Sequence, residues 1–357
     1  YDPENPSSNV ATTTTDEGVE VPFVIRVETG YQNRDQYKIA VLFDPTEPWS
    51  ATEPQEAWNR KLLITHGASC GIDREAGEAP SVTSDTIAAE GVNVSGSSPQ
   101  VALGRGFAVM STALNNAGHN CNLLTQAESL VMAKERLVEQ YGTIRYTIGT
   151  GCSGGSLTQQ QVANAYPGIY QGILPQCSFP DAWSTGQQLA AYHMIRDYVE
   201  DPSKWGPGVA WDPASIAAIE GHPNHVNSVV FDSIYWEALA NPTNPCAGVE
   251  DAERYDPDTN PGGARCTLAD YMINVFGPRP KRLWGPQERQ LGRGFAAPAL
   301  GDTGVQFGLI PLMNRQITQE QFVDLNVKIG GADIDLNYTP ERIDAPDTAI
   351  ARAYRSG

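Results

Sequence analysis

The 357-residue sequence lacks features on which whole classes of protein depend. It has no apolar run of about 18 residues or more, so no membrane-spanning helix is predicted. Basic residues are scarce, 24 against 42 acidic ones, and a formal net charge of −18 disfavours a nucleic-acid partner. The chain begins at Tyr1 without the basic and apolar leader of a signal peptide, so we expect a mature or trimmed product.

The six cysteines also lack the CxxC spacing of zinc ribbons and thioredoxin-like sites. An even number of cysteines in an acidic chain favours disulfide bonds and a secreted, extracytoplasmic protein, whereas six buried thiols would suit a cytosolic one. Among the many possible pairings, we expect bonds that join neighbouring strand ends or staple a loop with little core. These are Cys152–Cys177, Cys70–Cys121 and Cys246–Cys266.

An alternation of short apolar runs and amphipathic stretches follows an extended lead-in at residues 1–20. Two β-type runs, 21–27 and 37–43, predict a hairpin. Apolar positions spaced by three, four and seven predict a helix over Leu123–Tyr141, and another should start at Ser153. Further short strands are predicted at 61–65, 107–112, 145–149 and 172–174. This order is typical of an α/β fold, here of the α/β-hydrolase type, with a mostly parallel sheet.

The composition changes after the predicted core of residues 21–185. Residues 186–290 are rich in Pro, Gly, Asn and Trp with weak periodicity, and we interpret them as an inserted cap or lid that shapes the substrate pocket. Residues 291–357 turn helical again, with Thr318 and Gln321 as a capping box, and are expected to lead back to the core. No final pair of core strands is evident, so this chain is predicted to lack the last strands of its sheet.

The most informative motif is GTGCSGGS at residues 149–156, which contains G-x-S-x-G. A predicted strand leads into it and a predicted helix leads out, which is the context of a nucleophile elbow with Ser153 as nucleophile. The N–H of Gly154 would be one oxyanion donor. After an earlier strand, His66 would orient a loop in which Gly67 or Ala68 supplies the second donor. A glycine-rich turn that binds phosphate or merely reverses the chain is the alternative.

A serine nucleophile needs a general base and a carboxylate that orients it. The usual order in this fold is serine, acid, histidine, yet His193, His222 and His225 follow no late core strand. One hypothesis is an unusual triad of Asp181 with His193 or His119. We favour the other, in which a second polypeptide supplies acid and base, because catalytic residues belong at the strand ends of a rigid sheet.

One segment offers oxygen ligands for a metal ion. The alternating side chains of Asp333, Asp335 and Asn337 suit a structural Ca²⁺, although the glycine and glutamate of an EF-hand are missing. A solvated acidic loop is the alternative. No cofactor is otherwise required by the predicted chemistry.

Several stretches together resemble a known family: KLLITHGASCG, NNAGHN, YGTIRYTIGTGCSGGS, YPGIYQGILPQCSFPD and IGGADIDLNYTPER. They are similar to secreted bacterial proteins grouped as a domain of unknown function, which is distantly similar to tannases, feruloyl esterases and hydroxybutyrate-oligomer hydrolases. The resemblance implies an α/β-hydrolase fold with a serine nucleophile, which falls on Ser153. Members are longer at both ends, which implies that an Asp and a His follow Gly357, as in a cleaved precursor whose pieces stay together. Tannase-like enzymes bridge a Cys before the Ser to a Cys beside the catalytic His; Cys152 matches only the first half.

The sequence therefore predicts a secreted serine esterase that hydrolyses a small or polymeric ester through an acyl-Ser153 intermediate. Ester is favoured over amide only by analogy with the tannase-like relatives. An amidase or peptidase on the same scaffold is one alternative, and a non-catalytic binding module that retains the elbow is the other.

Overall fold

The structure is a computed structural model that describes residues 2, 4–5, 9–69, 71–84, 98–178, 181–333, 335 and 337–356. The chain divides between Asp181 and Ala182 into two compact units, here called unit 1 and unit 2. The division falls four residues before the expected end of the core at residue 185. Residues 291–356, which were expected to lead back to the core, belong to unit 2.

Unit 1 contains eight strands and three helices among its described residues. The strands are β1 Thr12–Thr14, β2 Glu20–Pro22, β3 Ile25–Gln32, β4 Asp35–Leu42, β5 Lys61–Thr65, β6 Ala108–Thr112, β7 Tyr146–Cys152 and β8 Gly172–Gln176. The helices are α1 Pro99–Gly104, α2 Leu123–Tyr141 and α3 Gly154–Ala165. The predicted runs at 107–112, 145–149 and 172–174 correspond to β6, β7 and β8.

The central sheet of unit 1 has six strands in the order β3-β4-β6-β5-β7-β8. The contacts of β5 with β6 and β7, and of β7 with β8, are parallel, whereas β4 pairs antiparallel with both β3 and β6. The predicted α/β fold with a mostly parallel sheet is therefore confirmed. Because the carboxyl ends of parallel strands meet at one edge, β5, β6 and β7 all deliver their following loops there.

Burial and turn chemistry explain these elements. Every residue of β5 is buried, as expected for a parallel strand covered on both faces. The predicted hairpin is β3–β4, and its two-residue turn places Asn33 and Arg34 at φ 50° and 74°, the left-handed values that match strand twist. Helix α2 begins after Asn122, whose side chain accepts the N–H of Thr125.

Unit 2 is mainly helical. Its helices are α4 Ala182–Val199, α5 Pro213–Glu220, α6 Val226–Ala240, α7 Leu268–Tyr271, α8 Ile273–Phe276, α9 Pro286–Leu291, α10 Leu309–Met313, α11 Gln319–Lys328 and α12 Asp347–Ser356. Short 3₁₀ turns lie at Pro202–Lys204, Asp251–Glu253 and Lys281–Leu283, and β9 Gly331–Ala332 pairs with β10 Tyr338–Thr339. The predicted capping box is present, because Thr318 and Gln321 bond each other's backbone N–H. Tyr198, Leu325 and Ile329 belong to the apolar core of this unit.

Two disulfides lie within the described residues, and both are pairings that the sequence suggested. Cys152 is bonded to Cys177 in unit 1, and Cys246 to Cys266 in unit 2. The expected Cys70–Cys121 bond involves Cys70, which lies outside the described residues. Across the described chain, none of the helices combines the length and the apolar character needed to cross a bilayer.

Candidate active site

Ser153 is the single residue between β7, which ends at Cys152, and α3, which begins at Gly154. Its backbone has φ 54° and ψ −116°, a conformation that costs a non-glycine residue free energy and is found at functional sites. The N–H of Ser153 donates to the Gln176 carbonyl at 3.0 Å, and its own carbonyl accepts the Ser156 N–H at 2.9 Å. The side chain is partly exposed. This is the strand-to-helix turn of a nucleophile elbow.

The two glycines after Ser153 are required because a second loop passes directly over them. A Cβ at Gly154 would overlap the carbonyl oxygen of Ser69, and a Cβ at Gly155 would overlap that of Gly67. The loop after β5 therefore lies against the first turn of α3. The structure thus brings together Ser153 and both predicted oxyanion residues, Gly154 and Gly67.

The loop after β5, residues 66–77, is held in a left-handed conformation at its start. Gly67 has φ +62° and Ser69 has φ +66°. A Cβ at Gly67 would overlap the Asn116 side chain, so this position also needs glycine. Further along, the Gly71 N–H donates to the Ala117 carbonyl at 2.7 Å. The loop is thereby fixed against the segment that follows β6.

His66 lies fully buried beneath the elbow and is not placed to act on a substrate. Its Nε2 accepts the Tyr170 hydroxyl at 2.9 Å, and its Nδ1 faces the Asn115 carbonyl at 3.5 Å. Burial lowers the pKa of His66 to about 4, so the imidazole is neutral at pH 7. These contacts suit the loop-orienting role expected for His66. The sequence offered no signal for Tyr170, which lies 104 residues away.

The other four histidines are each bonded to groups other than Ser153. In unit 1, His119 lies between the carboxylates of Asp35 and Asp73 at 3.0 and 3.1 Å. The remaining pairs lie in unit 2: His193 with Asp232, His222 with Tyr192 and Asn227, and His225 with Glu220 and Glu200. Both histidines of the hypothetical unusual triad, His119 and His193, thus have carboxylate partners other than Asp181.

The pairing of His193 in α4 reveals an acid that sequence reasoning missed. Its Nδ1 lies 3.0 Å from Oδ1 of Asp232, and its ring stacks on Trp236 with centroids 3.8 Å apart. Arg196 holds the other oxygen of Asp232. Asp181, the predicted partner, is the last residue of unit 1.

The candidate calcium ligands are engaged in protein contacts. Asp335 accepts from Arg265 at 2.8 Å and from Arg279 at 2.6 Å, and Asp333 accepts the backbone N–H groups of Asp335 and Asn337. Burial raises the pKa of Asp335, but the two guanidinium groups outweigh it and hold the pKa below its usual value. Within the described residues, no cluster of three or more His, Cys, Asp or Glu side chains could hold a metal ion. This arrangement lends the calcium hypothesis no support.

Comparison with known proteins places the chain in a family. It belongs to the tannase-like family of unknown function DUF6351, whose model matches residues 1–357. The resemblance inferred from the sequence motifs is thereby confirmed. The comparison with curated proteins found no match.

Solved structures of several hydrolases are similar over part of their length. Feruloyl esterase B from Aspergillus oryzae is 12% identical over 99% of this chain and 60% of that chain, with a TM-score of 0.32. An esterase from the same organism is 12% identical over 97% and 56%, with a TM-score of 0.31. Oligopeptidase B from Trypanosoma brucei, with covalently bound antipain, is 18% identical over 46% and 21%, with a TM-score of 0.29. The chain therefore spans 21% to 60% of the length of these three structures.

Proposed function

We propose that this member of the tannase-like family is a secreted serine hydrolase that cleaves carboxylic esters through an acyl-Ser153 intermediate. The observation that carries the proposal is the backbone of Ser153, held at φ 54° between a parallel strand and a helix N-terminus. Such strain persists where the surroundings enforce it, and here it sets the Ser153 hydroxyl at the start of α3. The loop that carries Gly67 packs against the first turn of α3 and is the proposed source of the second oxyanion N–H.

The reaction runs in two acyl-transfer steps. The Ser153 Oγ attacks the ester carbonyl carbon and gives its proton to a general base, while the negative charge on the carbonyl oxygen is stabilised by the N–H groups of Gly154 and Gly67. Collapse of the tetrahedral intermediate breaks the bond to the alcohol oxygen, which leaves with that proton. Water then repeats the sequence on the acyl-enzyme, releasing the acid and restoring Ser153.

The general base and its orienting carboxylate, in this proposal, come from a second polypeptide of the same precursor. The support is that all five histidines of the chain are bonded to other groups. The rival is His193, because a contact from Nδ1 to a carboxylate such as Asp232 is what orients a catalytic histidine.

An ester is favoured over an amide because the family is described as tannase-like. The two disulfides favour a secreted protein, since such bonds persist in oxidising compartments. Hydrolysis of a chromogenic short-chain ester, compared with the matching anilide, separates an esterase from an amidase or peptidase. A protein that cleaves neither would favour the non-catalytic binding module.

The decisive experiment is intact-protein mass spectrometry of the natively purified protein before and after a fluorophosphonate probe. We expect one adduct on Ser153 and a second, co-purifying polypeptide. Ser153→Ala should remove the adduct, whereas Ser84→Ala, at an exposed serine of the same unit, should retain it.

The other outcomes of this experiment are equally informative. A labelled chain without a partner would mean that the chain supplies its own base, and His193→Gln should then slow labelling most. No adduct at all would refute the serine hydrolase.

A further inference from the structure

His119 lies buried in the loop between β6 and α2, with a carboxylate on each side of its ring. Its Nε2 is 3.0 Å from Oδ2 of Asp35, and its Nδ1 is 3.1 Å from Oδ2 of Asp73. The side chain of Asp35 is 1% exposed and that of His119 is 8% exposed. This pair of contacts has no part in the acyl-transfer steps described above.

The hydrogen bonds define the charge of this ring. An ionised carboxylate only accepts hydrogen bonds, so a ring nitrogen facing each carboxylate must carry a proton. The arrangement that satisfies both carboxylates has each ring nitrogen of His119 donating to one of them, and charge-assisted bonds of this kind are stronger than neutral ones. The guanidinium of Arg34, 3.9 Å from Asp35 and half exposed, is the other cation facing the group.

The three charged residues come from three segments of unit 1. Asp35 is the first residue of β4, and its Oδ1 accepts the Gly77 N–H at 2.8 Å. Asp73 lies in the loop after β5, and His119 in the loop after β6. The contacts of His119 and of the Gly77 N–H thus hold the second half of the loop at residues 66–77 to the start of β4.

The same loop carries the predicted oxyanion donor at its other end. There Gly67 and Ser69 lie against Gly155 and Gly154 of the elbow. Among the described residues between the two ends, Ile72 forms an isolated bridge with Asn120 of the β6 loop, and no helix or long strand is present. The backbone N–H groups of such a loop keep a fixed direction only if both ends of the loop are held in place.

We propose that His119 is a positioning residue of the ester hydrolase, an imidazolium clamp that holds the loop after β5 so that the Gly67 N–H faces the oxyanion. This inference rests on the proposed function, because it concerns the reaction at Ser153. It also removes His119 from the candidates for the general base, since both of its ring nitrogens are donors to carboxylates.

The test compares His119→Gln and Asp73→Asn with the wild-type protein in ester hydrolysis, with kcat normalised to the number of sites that the fluorophosphonate probe titrates. We expect kcat per titrated site to fall about 10- to 100-fold with KM changed less than about threefold, because oxyanion stabilisation acts in the transition state. Glu75→Gln is the matched control, since it removes one negative charge from an exposed position of the same loop and should leave kcat unchanged.

A double variant adds a second readout. If His119 and Asp73 act as one unit, the double variant should lose no more kcat than the worse single variant. A merely structural role would instead lower the number of titrated sites or the melting temperature while kcat per site stayed at the wild-type value, and that result would overturn the clamp. Additive losses in the double variant would also overturn the clamp.

The same assays distinguish a failure of the clamp from a failure of the proposed function. If Ser153→Ala abolishes ester hydrolysis but His119→Gln turns over at the wild-type rate, the clamp is refuted and the proposed function stands. A wild-type protein without label or turnover would refute both.

Discussion

Replacing Gly154 with alanine tests directly whether the elbow and the loop after β5 form one catalytic unit. The added Cβ would overlap the carbonyl oxygen of Ser69, so the loop has to retreat by about one ångström or more. A misplacement of about one ångström in a catalytic array costs on the order of a hundredfold in rate. Overpacking of this kind also costs about 1–3 kcal/mol of stability.

The assay is the second-order rate of fluorophosphonate labelling, followed by intact mass, together with unfolding in denaturant. For Gly154→Ala we expect labelling about a hundredfold slower on a protein that is still folded. Gly172→Ala is the control, because a Cβ at that position in β8 meets open space, and its labelling rate should stay within about twofold of wild type. If Gly154→Ala is labelled at the wild-type rate, the close approach of Gly154 and Ser69 does not constrain the site, and this reasoning is refuted.

Three further predictions concern stability. Because the pKa of His66 falls from 6.5 to about 4 on folding, the protein should be most stable above pH 6.5 and lose on the order of a few kcal/mol as the pH falls toward 4; urea midpoints measured across this range should show a flatter profile for His66→Gln. Paired Cys152→Ala and Cys177→Ala substitutions should cost about 2–4 kcal/mol, since the bond closes a loop of 25 residues, and thermal unfolding compared with the oxidised wild type checks this. Asp335→Asn should destabilise the protein by about 1–3 kcal/mol because it removes one of the two carboxylates paired with buried Arg279 while Glu288 remains, and added Ca²⁺ should not restore the wild-type denaturation midpoint.

The elbow could be predicted from the sequence because every requirement is local. An apolar strand, the glycines at positions 151, 154 and 155 and the following helix all fall within about twenty residues, and each has a steric reason. The partners of the buried histidines could not be predicted in this way. His119 meets Asp73 across 46 residues and Asp35 across 84, and no periodicity encodes such pairings.

The boundary between the units could not be located from the sequence, because it depends on how the helices pack. The sequence places the end of the core at residue 185, yet α4 begins at Ala182, because packing inside unit 2 includes residues whose composition alone does not indicate a helix. Trp183, for example, lies edge-on to Phe276 with ring centroids 4.4 Å apart. The segment after residue 290 was expected to lead back to the core, but a helical pattern does not identify the surface on which a helix packs. Arg352 of α12 instead bonds the Phe276 carbonyl within unit 2.

The two histidines of unit 1 contact the loop after β5 at its start and in its second half, and their hydrogen-bond partners differ. His66, at the start of the loop, is neutral because burial disfavours its cation, and its ring accepts a hydrogen bond from the Tyr170 hydroxyl. His119 holds the second half of the loop, and a carboxylate faces each nitrogen of its ring. A general base has to take a proton from Ser153 and give it up again, which requires a ring nitrogen open to the hydroxyl. His66 has that nitrogen occupied by Tyr170, and both nitrogens of His119 face carboxylates, so the proposed base lies outside unit 1 and its two histidines hold the loop after β5 in place.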